Sequence, residues 1–169
     1  MEVPNILTER LLLRQLTAKD ATEKYLSWFS DASKNQFIAY KADQLSSLVD
    51  YIEEKNTSRN SMFWGIFCKK TEEHIGNFKF EPIDWSDNEA ALGILIGEAQ
   101  WRGKSLAKEI INACFTYIYE QHSIKVIRLG VDKNNTAALK AYEKIGFIRY
   151  DLDEVKDDNY ITMKLTKES

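Results

Sequence analysis

The chain has 169 residues, 44% hydrophobic, 12% aromatic and 29% charged, with 7 Gly and 2 Pro. That is enough for one domain with a substantial core, and it excludes disordered and collagen-like classes. Its 23 Lys and Arg against 26 Asp and Glu leave a net charge of −3, with no broad basic footprint for nucleic acid or an acidic membrane, so any anion site must be local. Cys68 and Cys114 are too few for a disulfide framework and lack the near neighbours of a metal or redox motif; both are expected to be buried, reduced thiols, and no metal is expected. The N-terminus lacks the basic segment and apolar stretch of a secretory signal. The longest uncharged apolar run, residues 90–97, is far below the ~20 residues that span a bilayer. A cytoplasmic protein is expected.

No composition shift or repeat divides the chain, so one domain over residues 1–169 is expected. Leu11, Leu13 and Leu16 among polar neighbours predict a first strand near 9–16. Thr17 or Ala18 opens a helix with Ala21, Tyr25, Trp28 and Phe29 on one stripe. Leu45, Leu48, Val49 and Ile52 mark a second helix. Residues 62–68, 75–83 and 89–97 are β-branched or aromatic runs separated by polar turns, an antiparallel meander. A longer helix spans 105–121, and a strand follows at 126–131. Asn135 or Thr136 caps a short helix to Lys144, which Gly146 ends. Strands at 147–152 and 160–165 complete an α/β order with a mixed sheet and helices on both faces.

The chemically informative stretch runs from Ile94, Leu95 and Ile96 through Gln100, Trp101, Arg102, Gly103, Lys104 and Ser105 into Leu106 and Ala107. A strand turns through a Gly/Lys/Ser loop directly into an amphipathic helix. Such a junction aims free backbone N–H groups and the positive helix end at one point, Gly103 admits a ligand close to the backbone, and Arg102 and Lys104 add charge. Those features describe a phosphate cradle; an ordinary strand–turn–helix with a Ser cap is the alternative.

Residues 135–147 contain Asn135, Ala138, Tyr142, Lys144, Gly146 and Phe147. These match the pattern N-x-x-A-x-x-x-Y-x-K-x-G-F, and Gln100, Gly103 and Ser105 match Q/R-x-x-G-x-G/A. With both patterns in order, the chain resembles the GCN5-related N-acetyltransferase (GNAT) superfamily. The opening at residues 7–14 and the strands at 75–77 and 92–97 look like its RimJ/RimL-like branch, which also includes acetyltransferases of bacterial amino sugars. Ser105 departs from the usual Gly or Ala, and the extra group should narrow the loop.

The resemblance implies a twisted sheet of six to seven strands with a V-shaped split between the fourth and fifth strands, and acetyl-CoA as cofactor. Its diphosphate would lie on the loop from Gln100 to Ala107. Its pantetheine would insert beside Ile94, Leu95 and Ile96, with a backbone N–H near Leu95 for the oxyanion and Asn135, Ala138 and Lys144 nearby. Tyr142 is the expected acid for the departing thiolate. Glu89, eleven residues before Gln100, matches the spacing of the catalytic glutamate in the histone-acetylating branch; Glu81, Asp84 and Glu98 are rivals. Trp28, Phe37, Tyr40, Trp64 and Phe78 are expected to wall the acceptor pocket, although aromatics at such spacing also build cores. The expected activity is acetyl transfer to a primary amine, favouring a small molecule such as a nucleotide-linked amino sugar, in a monomer or homodimer. The alternatives are a protein N-terminal acetyltransferase and a non-catalytic acyl-CoA-binding domain.

Overall fold

Stretches with apolar side chains every second residue form strands, and stretches with a 3.6-residue stripe form helices. The computed structural model describes residues 1–30, 42–150 and 159–168. In chain order the elements are β1 (Ile6–Leu7), β2 (Leu11–Arg14), α1 (Glu23–Ser30), α2 (Leu45–Thr57), β3 (Met62–Cys68), β4 (His74–Asp84), β5 (Glu89–Ile96), α3 (Leu106–His122), β6 (Val126–Asp132), α4 (Thr136–Ile145), β7 (Ile148–Arg149) and β8 (Tyr160–Thr166). They make an eight-stranded sheet in the order β1-β2-β3-β4-β5-β6-β8-β7. All neighbours are antiparallel except β5 and β6; α3 supplies the crossover that a parallel pair requires.

Three local features differ from the sequence expectation. Residues 6–7 add a short strand, so the expected split lies between the fifth and sixth strands of eight. Residues 18–20 form a separate 3₁₀ turn before α1. Its cause is the Asp20 carboxylate, which accepts the Thr17 N–H at 2.8 Å and pairs with Arg14 at 2.8 Å, closing a turn that the helix does not continue. The strand expected at 147–152 covers only Ile148–Arg149 among the described residues.

Two cores lie on opposite faces of the sheet. Ala90 and Leu92 of β5 and Phe78 and Phe80 of β4 pack with Ile110, Cys114, Phe115 and Ile118 of α3 and Leu139 of α4. The other face carries Tyr25, Trp28 and Phe29 of α1 with Leu48 and Ile52 of α2, and Leu95 packs against them. Helices α3 and α4 therefore share one face and α1 and α2 the other. Cys68 and Cys114 are both buried and free, and burial pushes the Cys114 thiol up.

Trp64 and Phe78 belong to the core rather than to an acceptor pocket. Both are 0% exposed, on the α3 face, with ring centroids 6.2 Å apart, and the Trp64 indole N–H donates to the Pro4 carbonyl at 2.9 Å. Phe37 and Tyr40 lie outside the described residues. We expect Trp64→Ala to cost about 3–5 kcal/mol of stability, as buried Trp truncations do. The measurement is the urea unfolding midpoint, with the KM for an amine acceptor unchanged wherever the variant remains folded.

Candidate active site

The parallel ladder pairs Glu89, Ala90 and Ala91 with Val126, Ile127 and Arg128. Beyond these pairs the strands separate, because β5 remains in register with β4 as far as Ile96 and β6 with β8 as far as Asp132. A cleft opens between them in mid-sheet. The Gly97 N–H donates to the Ile75 carbonyl at 2.9 Å, while Ile96 stands opposite Gly76 and Leu95 opposite Asn77. Alternation along an antiparallel ladder therefore turns the N–H and C=O of Gly93 and Leu95 toward β4. Those of Leu92, Ile94 and Ile96 face the cleft. The N–H of Leu95 itself is thus spent on β4, and the cleft-facing N–H groups near it are those of Ile94 and Ile96. The Ile96 carbonyl accepts Arg102 Nε at 3.0 Å.

After β5 a 3₁₀ turn, Ala99–Trp101, carries Gln100, and the chain then enters α3. Gly103 and Ser105 are left-handed, with φ of 71° and 59°. The second value explains a glycine at position 105, which adopts this conformation freely, whereas serine and alanine pay for it. Ser105 makes no side-chain cap, so the first N–H groups of α3, at Leu106 and Ala107, keep no capping partner from it. A Cβ on Gly103 would meet nothing within 4 Å, so the approach to this backbone is open. The Lys104 ammonium lies 5.2 Å from the Trp101 ring centroid. Of the loop's two cations, Arg102 ties down the end of β5 and Lys104 is exposed. This arrangement fits a diphosphate.

Thr8 and Arg10 hold the loop from behind. Thr8 Oγ1 and Arg10 Nε donate to the Glu109 carboxylate at 2.7 and 2.9 Å, and Arg10 Nη1 donates to the Lys104 carbonyl at 2.9 Å. Sequence reading missed these residues; about a hundred positions separate the partners, and no local pattern links them.

Across the cleft, Asn135 caps α4, its Oδ1 accepting the Ala138 N–H at 3.3 Å. Gly146, with φ of 115°, closes the other end: its N–H reaches the Glu143 carbonyl and that of Phe147 the Tyr142 carbonyl, at 3.1 and 3.0 Å. The Tyr142 ring is held edge-on to Phe147 with centroids 5.7 Å apart. Its hydroxyl has no hydrogen-bond partner among the described residues, and burial pushes the phenol up to about 12, so it is a protonated donor throughout the physiological range. Lys144 is exposed near the end of α4.

Glu89 sits at the closed end of the cleft, paired with Arg128 at 3.6 Å. It is five residues, about 16 Å of strand, from Ile94, and the structure does not bring it to the open part of the cleft. Trp28 lies against Gly97, where any Cβ would collide with the indole, and its Nε1–H donates to Glu98 at 3.0 Å. Among the described residues no cluster of His, Cys, Asp and Glu could hold a metal ion, and no helix is long and apolar enough to cross a membrane.

Residues 10–148 match the model of the Acetyltransferase (GNAT) domain family. The chain is 25% identical over 146 residues to the uncharacterized N-acetyltransferase p20 of Bacillus licheniformis, covering 84% of this chain and 81% of that protein. The fold is similar to that of RimL, a ribosomal-protein α-N-acetyltransferase solved with coenzyme A (TM-score 0.82, 14% identity, 96% of this chain and 98% of the other). It is also similar to that of the microcin self-immunity acetyltransferase MccE, solved with acetyl-CoA and AMP (TM-score 0.78, 18% identity, 94% and 93%).

Burial raises the Glu109 carboxyl, but hydrogen bonds from Thr8 and Arg10 outweigh it and hold the group below its ordinary 4.5. A depressed folded value contributes stability that is present above pH 4.5 and lost as pH falls through the folded value. Glu109→Gln is therefore expected to lower stability by roughly 1 kcal/mol near neutral pH. The difference from the parent protein should shrink as pH falls below 4.5 and through the folded value, as measured by urea unfolding over a series of acidic pH values.

Proposed function

We propose that this chain, which belongs to the acetyltransferase (GNAT) domain family and is an acetyl-CoA-dependent N-acetyltransferase, acts on a small-molecule primary amine such as a nucleotide-linked amino sugar. The observation that carries the site assignment is the β5 edge left without a strand partner after Ala91, where backbone N–H groups at Leu92, Ile94 and Ile96 face the cleft and the chain runs on into the N-terminus of α3.

Bound acetyl-CoA supplies a thioester whose acetyl carbon is the electrophile. Backbone N–H groups from Gly103 to Ala107, with Lys104 beside them, would hold its diphosphate. The Ile94 N–H faces the cleft, where it would donate to the acetyl oxygen; one such donor is typically worth ~3 kcal/mol. Tyr142 holds a proton at Oη for the departing thiolate. The amine attacks directly, since Cys114 is fully buried in the core and Cys68 lies at the end of β3, opposite Leu11, so no thiol is set up as an acyl carrier. The nucleophile's proton passes to water; Glu89, engaged at the closed end, is not needed as base.

A small acceptor is favoured by the net charge of −3, which offers no extended basic surface for a ribosome. The nucleotide in MccE is in keeping with a nucleotide-bearing acceptor. A panel of amines with acetyl-CoA, followed by thiol release, tests this. Faster acetylation of ribosomal N-terminal peptides than of any small amine overturns it.

Tyr142→Phe keeps the ring and removes the donor, so kcat is expected to fall by ~10²–10⁴-fold with the acetyl-CoA-induced thermal shift retained. Gly103→Asp does the converse. Asp tolerates left-handed backbone and its Cβ meets no protein atom, so the fold survives, but its carboxylate repels the diphosphate. The rise in Tm that acetyl-CoA produces at a hundredfold excess over Kd, ~2.7 kcal/mol of stabilisation, is expected to be mostly lost.

A further inference from the structure

The α1–α2 face of the sheet carries a charged island beside the cleft. Lys79 of β4 stands directly opposite Gly93 of β5. With no side chain at Gly93, the Lys79 stem leans over β5; a Cβ there would lie 3.2 Å from Lys79 Cε. The Lys79 ammonium meets Glu81 at 3.1 Å and the Tyr51 hydroxyl at 3.3 Å. Glu81 is also held by Lys55 at 2.8 Å, a lysine whose side chain is only 10% exposed. Two lysines share one half-buried carboxylate, and the other acidic neighbour, Glu54, is 68% exposed and reaches only Lys55. The two lysines and two carboxylates balance in number, but among the described residues Lys79 has only Glu81 as ion-pair partner and shares it with Lys55. Of the three donors on Lys79 Nζ, two face these oxygens among the described residues, and one is uncommitted. The floor beside it is made of the small residues Ala91 and Gly93, and the next residue, Ile94, turns its N–H into the cleft.

We propose that Lys79, positioned by Tyr51 and the Lys55–Glu81 pair, binds an anionic group, carboxylate or phosphate, on the acceptor amine and so selects anionic amines over neutral and cationic ones. The inference rests on the acceptor entering from the α1–α2 face.

The test compares kcat/KM, by thiol release, for matched acceptors: a free hexosamine, its phosphate ester, a nucleotide-linked amino sugar, an amino acid and its amide, and spermidine. The anionic member of a pair is expected to be preferred, and its KM to rise with ionic strength; the phosphate and carboxylate pairs identify which anion is read. Lys79→Gln is expected to lower the preference about ten- to a hundredfold, as loss of a charge-assisted hydrogen bond does. The loss should fall mainly on KM, and Lys79→Arg should restore most of it. If spermidine or the uncharged member of each pair is turned over best, the Lys79 assignment is wrong while the acetyltransferase stands. Equal loss on charged and uncharged acceptors in Lys79→Gln also overturns it. Salt-independent KM values in the parent protein overturn it without recourse to any variant. If no amine releases thiol, the small-amine reading itself fails.

Discussion

The parallel ladder between β5 and β6 stops after three pairs, and the rest of the molecule's chemistry depends on that interruption. Neither strand is short of partners. β5 follows β4, and β6 follows β8 through seven consecutive pairs, so each strand twists with its antiparallel neighbour. The two halves of the sheet diverge as a result. Elsewhere an unpaired edge invites aggregation; here it lies within the sheet, flanked by α3 and α4, and presents a row of amides to a ligand that has amides of its own.

The same sheet separates two chemical environments. Below it, α3 and α4 bury an almost wholly apolar core, and Tyr142 packs against that core, desolvated enough to keep its proton. Above it, the α1–α2 side mixes aromatics with charges: Lys79 and Glu81 near the middle of β5, and Glu98 beside Trp28 at its end. His74 belongs to this second environment, stacked 4.7 Å from Phe67 and joined to Asn77 at 2.8 Å. Burial pushes it down to about 4, so it remains neutral and packs as an aromatic.

Much of this was legible in the amino-acid order because the relevant signals are local. Asn135 and Gly146 bracket α4 by cap chemistry confined to that helix, and the loop from Gln100 to Ala107 is a continuous run. What escaped was set by tertiary context. Trp64 and Phe78 alternate on β3 and β4 as pocket residues also would, and only the position of α3 turns that face into core. Leu95 and Ile94 are indistinguishable by composition; a one-residue phase in the ladder with β4 decides which N–H faces the cleft. Glu81 reads as a rival for the base and Lys79 carries no signal; only the packing of α2 brings Lys55 and Tyr51 to them. The 3₁₀ turn at residues 18–20 depends on Arg14 reaching Asp20, a side-chain pairing that hydrophobic periodicity does not register.

The tie between Arg10 and Glu109 also sets an order of events. The two residues are 99 positions apart, and at ordinary rates of chain synthesis, ~5–20 residues per second, Arg10 emerges roughly 5–20 s before its partner exists. Over that interval β2 can pair with β3 and the meander can grow, yet the segment from Lys104 to Glu109 has not been made. When α3 arrives, its first turn docks onto a surface already formed, and the left-handed residues at 103 and 105 acquire their brace at that moment. The cradle's brace thus closes on the first five strands, before β6, β7 and β8 have been made, and a nascent chain can form this loop before the second wall of the cleft exists.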